Sequence, residues 1–210
     1  MTRRGKDLWR RPAAERSESS NASWRVFCAI ELPEALRLRL QDHIGELRVA
    51  VPQAHASWSR PEGIHLTLKF FGDVKQDLVP KISAAASRTA TQVASFRIGA
   101  AGAGAFPKQS QPRVLWIGVN DPEGKLAALQ NQFESESAQE GFAKEERAFR
   151  PHLTIARIRN PMASRTLAEA HQQLGFAAET FLVSELVVFR SELSPKGSKY
   201  TPISRHLFSL

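Results

Sequence analysis

This 210-residue chain has a single cysteine, Cys28. Disulfides within the chain and zinc sites built from several cysteines are therefore excluded. Cys28 lies in the apolar run Val26-Phe27-Cys28-Ala29-Ile30, which marks it as a buried, inert thiol. A His-x-x-x-His pair is also absent, so the helical zinc-ligand pattern is missing and no metal is expected. No apolar run approaches the roughly 18 residues of a membrane-spanning helix, so no membrane partner is expected.

What remains is the composition of an ordinary globular protein, 42% hydrophobic and 24% charged. The length suffices for one large or two small lobes with a real core. The formal net charge is +8, and the stretch 1–23 carries six Lys/Arg against three Asp/Glu, leaving a basic body. A basic body fits a polyanionic, phosphate-bearing partner without requiring one. Residues 1–23 are polar, Arg- and Ser-containing and without periodicity, as in a disordered polar extension. Asp7, Glu15 and Glu18 argue against a transit peptide, and no apolar core for a secretory signal is present.

Two words organise the rest. His65-Leu66-Thr67-Leu68 and His152-Leu153-Thr154-Ile155 repeat the same pattern 87 residues apart. Apolar residues flank each Thr with the period of a strand, so each His shares a face with its Thr. The surrounding text repeats as well. A strand at 25–32 matches one at 113–119, and a helix opened by Pro33 matches one opened by Asp121-Pro122-Glu123. Helices at 78–91 and 164–174 follow the two words. A strand begins at Ser95, ahead of a loop at 102–107, and its counterpart runs Phe181–Phe189. The halves are about 24–105 and 112–190, within one bilobal domain at 24–210 that ends in a hairpin over Ser191–Leu207. Strands alternating with helices in two related halves imply an α+β or α/β architecture with a cleft between lobes.

Two imidazoles near neutrality can divide into one neutral base and one charged acid, the pairing that phosphodiester cleavage requires. A Thr hydroxyl two residues along each strand can hold a phosphoryl oxygen, and the scheme needs no metal or other cofactor. His43, His55, His171 and His206 fall outside any motif and read as surface or structural.

These residues resemble the two-histidine phosphoesterase superfamily, and within it the bacterial RNA 2′,3′-cyclic phosphodiesterases of the 2′-5′ RNA ligase family. The likeness runs from about Arg25 to Leu210. It rests on RVFCAIELP, on Arg60-Pro61-Glu62 leading to His65-Leu66-Thr67-Leu68-Lys69-Phe70, and on Gly104-Ala105-Phe106-Pro107. Pro112–Trp116, Phe149–Thr154 and Phe189-Arg190-Ser191 complete it. Cys28 stands where a second aromatic is expected, and the extension before Trp24 is extra.

The resemblance implies an α+β fold, a bilobal duplicated unit with two antiparallel-type sheets flanked by helices and an active-site cleft between the lobes. It implies hydrolysis of a terminal RNA 2′,3′-cyclic phosphate to a 2′-phosphomonoester, with the reverse transesterification joining a 5′-hydroxyl in a 2′-5′ linkage. His152 would be the proton acceptor that activates water and His65 the proton donor to the departing 3′-oxygen. Thr67 and Thr154 would hold the phosphate. Arg157 is a candidate nucleotide contact, although strict alternation puts it on the face opposite His152. Phe106 is a candidate to stack on a base or to pack into its lobe, and Arg113 and Arg150 are candidate backbone contacts. The implied partner is RNA ending in a 2′,3′-cyclic phosphate, tRNA fragments included, met by a cytoplasmic monomer. Another cyclic nucleotide, such as a cyclic phosphate on ADP-ribose, or a non-catalytic RNA-end binding module are the alternatives.

Overall fold

The computed structural model describes residues 22–194 and 197–209. The expected extension lies outside the described residues as far as residue 21, and Ser23 already belongs to the first strand. Pro195 and Lys196 of the final turn also lie outside the described residues.

In chain order the elements are β1 (Ser23–Glu31), α1 (Glu34–Ala50), β2 (Ala56–Trp58), β3 (His65–Lys75), α2 (Val79–Thr91), β4 (Phe96–Phe106), β5 (Val114–Asn120), α3 (Lys125–Gln139), β6 (His152–Ile158), α4 (Ser164–Leu174), β7 (Glu179–Val183), β8 (Glu185–Ser194) and β9 (Gly197–Leu207). This is an α+β fold with two lobes. One lobe carries β3-β1-β8-β9, the other β7-β4-β5-β6 with β2 added beside β6. All of these strands pair antiparallel. The two sheets join at a single bridge, Leu66 opposite Leu153, making one nine-stranded sheet.

The chain crosses repeatedly between the lobes. The last strand of the first half, β4, pairs with β5 of the second half. Late strand β8 returns to β1. Helices α2 and α3 pack together, α2 covering β8 and β9, while α1 packs on α4. Each lobe therefore contains elements from both halves of the sequence.

Local sequence explains most elements. Pro33 caps α1, and Leu36, Leu40, Ile44 and Leu47 face the core at helical spacing. The apolar run in β1 is buried on both faces: Val26, Cys28 and Ile30 enter the main core, and Phe27 and Ala29 join a second cluster with Val187 and Phe189. Fully burying one such side chain contributes about 1.5–3 kcal/mol. Burial also pushes the Cys28 thiol far above its ordinary value. Among the described residues, no helix is long and apolar enough to cross a membrane.

Two expectations change. The expected strand Phe181–Phe189 is two strands, β7 and β8, which part at Ser184 to pair in different lobes. The expected loop at 102–107 is strand as far as Phe106. Gly104 answers a close approach, because a Cβ there would collide with the Trp116 ring, and Gly102, with φ of +74°, is the extra residue of a β-bulge.

Candidate active site

Strands β3 and β6 lie side by side, and the centres of the two words, Leu66 and Leu153, are directly opposed. The antiparallel sense sets His65 toward Thr154 and His152 toward Thr67 about an approximate twofold axis. Leu66 and Leu153 are fully buried, which anchors both words to the core. His65, Thr67, His152 and Thr154 line one cavity of about 450 Å³.

Each word ends in a β-bulge, and the bulges decide what else reaches the cavity. Along β6, Trp116 faces Thr154 but Leu115 faces Ala156, so Ile155 is the extra residue. Ile155 and Ala156 are both buried, the alternation slips by one, and Arg157 emerges on the side of His152 and Thr154. The strict-alternation expectation for Arg157 is thus overturned by the bulge. Along β3, Ala29 faces Thr67 but Cys28 faces Lys69, which makes Leu68 extra. Leu68 and Lys69 are 4% and 5% exposed, and Phe70 comes out beside His65 and Thr67 at 61% exposure. Lys69 turns to the helical side, where its Nζ donates to Glu134 Oε2 at 2.6 Å and to the Ala143 carbonyl at 2.8 Å.

Both imidazoles are oriented by the same device. His65 Nδ1 lies 2.8 Å from the Gly63 carbonyl oxygen, and His152 Nδ1 lies 2.7 Å from that of Arg150. A carbonyl only accepts, so each Nδ1 carries the proton and each Nε2 is left as the working nitrogen. Their surroundings differ. His65 stacks on Phe27 at 4.7 Å, and Tyr200 meets its ring edge-on at 5.0 Å. Burial pushes its pKa down to about 4, Arg157 adding to the effect while the Gly63 hydrogen bond and Glu31 oppose it. His152 meets Phe106 edge-on at 5.0 Å.

The structure therefore brings together five of the six residues expected at the site, His65, Thr67, His152, Thr154 and Arg157. Phe106 is not in the lining; its ring lies between Trp116 and His152 and supports the imidazole. Arg113 and Arg150 are exposed away from the lining, and only the Arg150 carbonyl serves the site. The sequence reading missed Arg25, Phe27, Ser59, Phe70 and Tyr200 in the lining. One of these had a signal, because Phe70 follows His65 by the same five residues that separate Arg157 from His152.

His43 and His171 form a buried pair elsewhere, His43 Nε2 lying 2.9 Å from His171 Nδ1 at the packing of α1 on α4. His171 Nε2–H donates to the Trp116 carbonyl, which makes His171 Nδ1 the acceptor from His43. Among the described residues, no three His, Cys, Asp or Glu side chains gather as metal ligands would.

The cavity can thus offer two fixed imidazole nitrogens, two hydroxyls, a guanidinium and aromatic faces, a set suited to an anionic ester carrying a ring. Known proteins agree in sequence and fold. The RNA 2′,3′-cyclic phosphodiesterase of Methanothermobacter thermautotrophicus is 37% identical over 180 residues, covering 84% of this chain and 95% of that protein. The protein of the same name from Thermus thermophilus is 32% identical over 196 residues, covering 89% and 90%. A crystal structure of a Thermus thermophilus protein superposes with a TM-score of 0.73 at 27% identity, covering 88% of this chain and 97% of its own. LigT of E. coli complexed with 3′-AMP gives 0.69 at 25% identity, covering 90% and 99%. The family model described as the 2′-5′ RNA ligase superfamily spans residues 36–195. With that match across most of the described chain, and both words inside it, the protein belongs to the 2′-5′ RNA ligase superfamily.

Proposed function

We propose that the chain hydrolyses the 2′,3′-cyclic phosphate at an RNA end to a 2′-phosphomonoester. The carrying observation is the matched pair of imidazoles, each held by a backbone carbonyl at Nδ1, beside two Thr hydroxyls in one cavity. His152 Nε2 takes a proton from water as its oxygen attacks phosphorus. The bond from phosphorus to the 3′-oxygen breaks, and His65 Nε2–H gives its proton to that oxygen. Thr67 and Thr154 donate to the non-bridging oxygens, and Arg157 balances their charge. Solvent then returns one proton to His65 and removes one from His152. A 5′-hydroxyl in place of water forms a 2′-5′ linkage by the same proton movements.

Burial holds His65 neutral down to about pH 4, which at first opposes its role as acid. The substrate is itself an anion, and its charge in the cavity favours the protonated ring. Phe70, exposed beside the first word, offers a face on which the terminal base can stack.

Phosphorus NMR of the product from a nucleoside 2′,3′-cyclic phosphate tests the assignment. A 2′-phosphate is expected, and a 3′-phosphate would reverse the leaving group. His65→Ala and His152→Ala should each lose about 10²–10⁴-fold in rate. Near-normal turnover in both variants would remove the acid–base roles.

A further inference from the structure

A second cavity, of about 430 Å³, opens beside the first. The two share Ser59, Gly63, Arg157, Leu193, Ser198 and Tyr200, so a ligand can continue from one into the other. The new part is built on β2, the three-residue strand that pairs with β6 beyond the second word. Its register sets Ser57 opposite Arg157 and Trp58 opposite Ala156. Arg159, two residues beyond Arg157, also lines it. Arg159 Nε donates to Ser57 Oγ at 2.7 Å, which orients the guanidinium, and among the described residues its Nη groups meet no acceptor. Arg60 lines the same cavity, and among the described residues no carboxylate is in the lining. Half-buried Trp58, packed against the core, supplies an apolar wall.

Guanidinium groups in a lining without carboxylates, beside an indole and joined to a phosphate-directed cavity, match the chemistry of a nucleic-acid strand. Arginines meet backbone phosphate and aromatic rings meet bases. The volume is within the range of small-ligand sites, about 300–1,000 Å³. We infer that this groove receives the nucleotide preceding the cyclic phosphate end, with Arg159 on its phosphodiester, so that strand ends are preferred to mononucleotides. The inference rests on the proposed function, because it takes the first cavity as the seat of the terminal nucleotide.

The test compares a nucleoside 2′,3′-cyclic phosphate with a trinucleotide bearing the same end, in the full chain and in Arg159→Gln. The trinucleotide should be favoured by about tenfold or more in kcat/KM, chiefly through KM. Arg159→Gln should remove most of that preference and leave the mononucleotide rate unchanged. Its salt dependence for the trinucleotide should flatten by about 0.7 in logarithmic slope, the single-strand value for one phosphate contact. Arg159→Lys should restore part of the preference. Equal kcat/KM for the two substrates in the unaltered chain, or equal losses on both in Arg159→Gln, would overturn the inference. If neither substrate is turned over, the proposed function fails while the groove is decided by titrating a labelled trinucleotide 2′-phosphate. Tighter binding than the mononucleotide, lost in Arg159→Gln, supports it; equal binding overturns it.

Discussion

An imidazole that donates a proton must first hold one, and His65 by itself releases its proton above about pH 4. A phosphodiester bound against Nε2 puts a unit negative charge about 4 Å from the ring. At an effective dielectric constant of about 20, that interaction is worth about 4 kcal/mol. This corresponds to about three pKa units, which lifts His65 from about 4 to about 7. At pH 5.5 its protonated fraction should rise on binding from about 3% to about 97%, an uptake close to one proton. Calorimetric titration in buffers of different ionisation enthalpy measures that uptake directly. A suitable ligand is a 2′-deoxynucleoside 3′-methyl phosphate, which stays singly charged and has no 2′-hydroxyl to react. His65→Gln should bind with nearly one proton less taken up than the unaltered chain. The same uptake in both proteins, or none in the unaltered chain, would refute the idea that substrate charges its own acid.

Four further outcomes follow from the same geometry. Phe70→Ala, which removes the exposed ring beside the first word, should raise KM by about tenfold through lost stacking and leave the unfolding midpoint in place. Lys69→Ala strands the Glu134 carboxylate in a buried position and should cost about 3–5 kcal/mol in chemical denaturation, whereas the double variant Lys69→Met/Glu134→Leu should recover most of it. Gly104→Ala forces a methyl into the Trp116 ring and should cost about 1–3 kcal/mol, lowering kcat as well because Trp116 backs Phe106 against His152. The His43 pKa is pushed down to about 4 by burial and by His171, so the native state favours the neutral ring. Its stabilisation is complete above the unfolded value near 6.5 and is lost as pH falls through 4, about 3 kcal/mol in all. His43→Leu should flatten the urea midpoint between pH 6.5 and 4, and an unchanged slope would count against the buried pair.

The words were legible in the sequence because a strand's alternation is local. His65 and Thr67 share a side whatever happens elsewhere, as do His152 and Thr154. What lies three residues beyond each Thr was not legible in that way. Bulges at Leu68 and Ile155 depend on how β3 meets β1 and how β6 meets β5, and those registers involve residues far away in the chain. Alternation alone therefore sets Arg157, a contact expected from the resemblance, on the wrong face, and leaves Phe70 without a signal of its own. The break at Ser184 escaped for a similar reason, since Phe181–Phe189 is apolar at most positions and only its partners reveal two strands. At 102–107 the glycines suggest a loop, because neither the distant indole that needs room at Gly104 nor the bulge at Gly102 leaves a local mark.

The return of β8 to β1 also has a consequence in time. Arg25 pairs with Ser191, a contact spanning most of the chain, and contacts of such long range form late. The wall around His65 depends on it: Phe27 comes from the first strand, while Phe189 and Tyr200 come from the last hairpin. During synthesis the first histidine emerges early, yet its aromatic enclosure cannot close until the final strands have left the ribosome. A chain stalled before β8 carries both words but lacks the surroundings that keep His65 neutral. The aromatic enclosure of His65 is thus among the last parts of this fold to be completed.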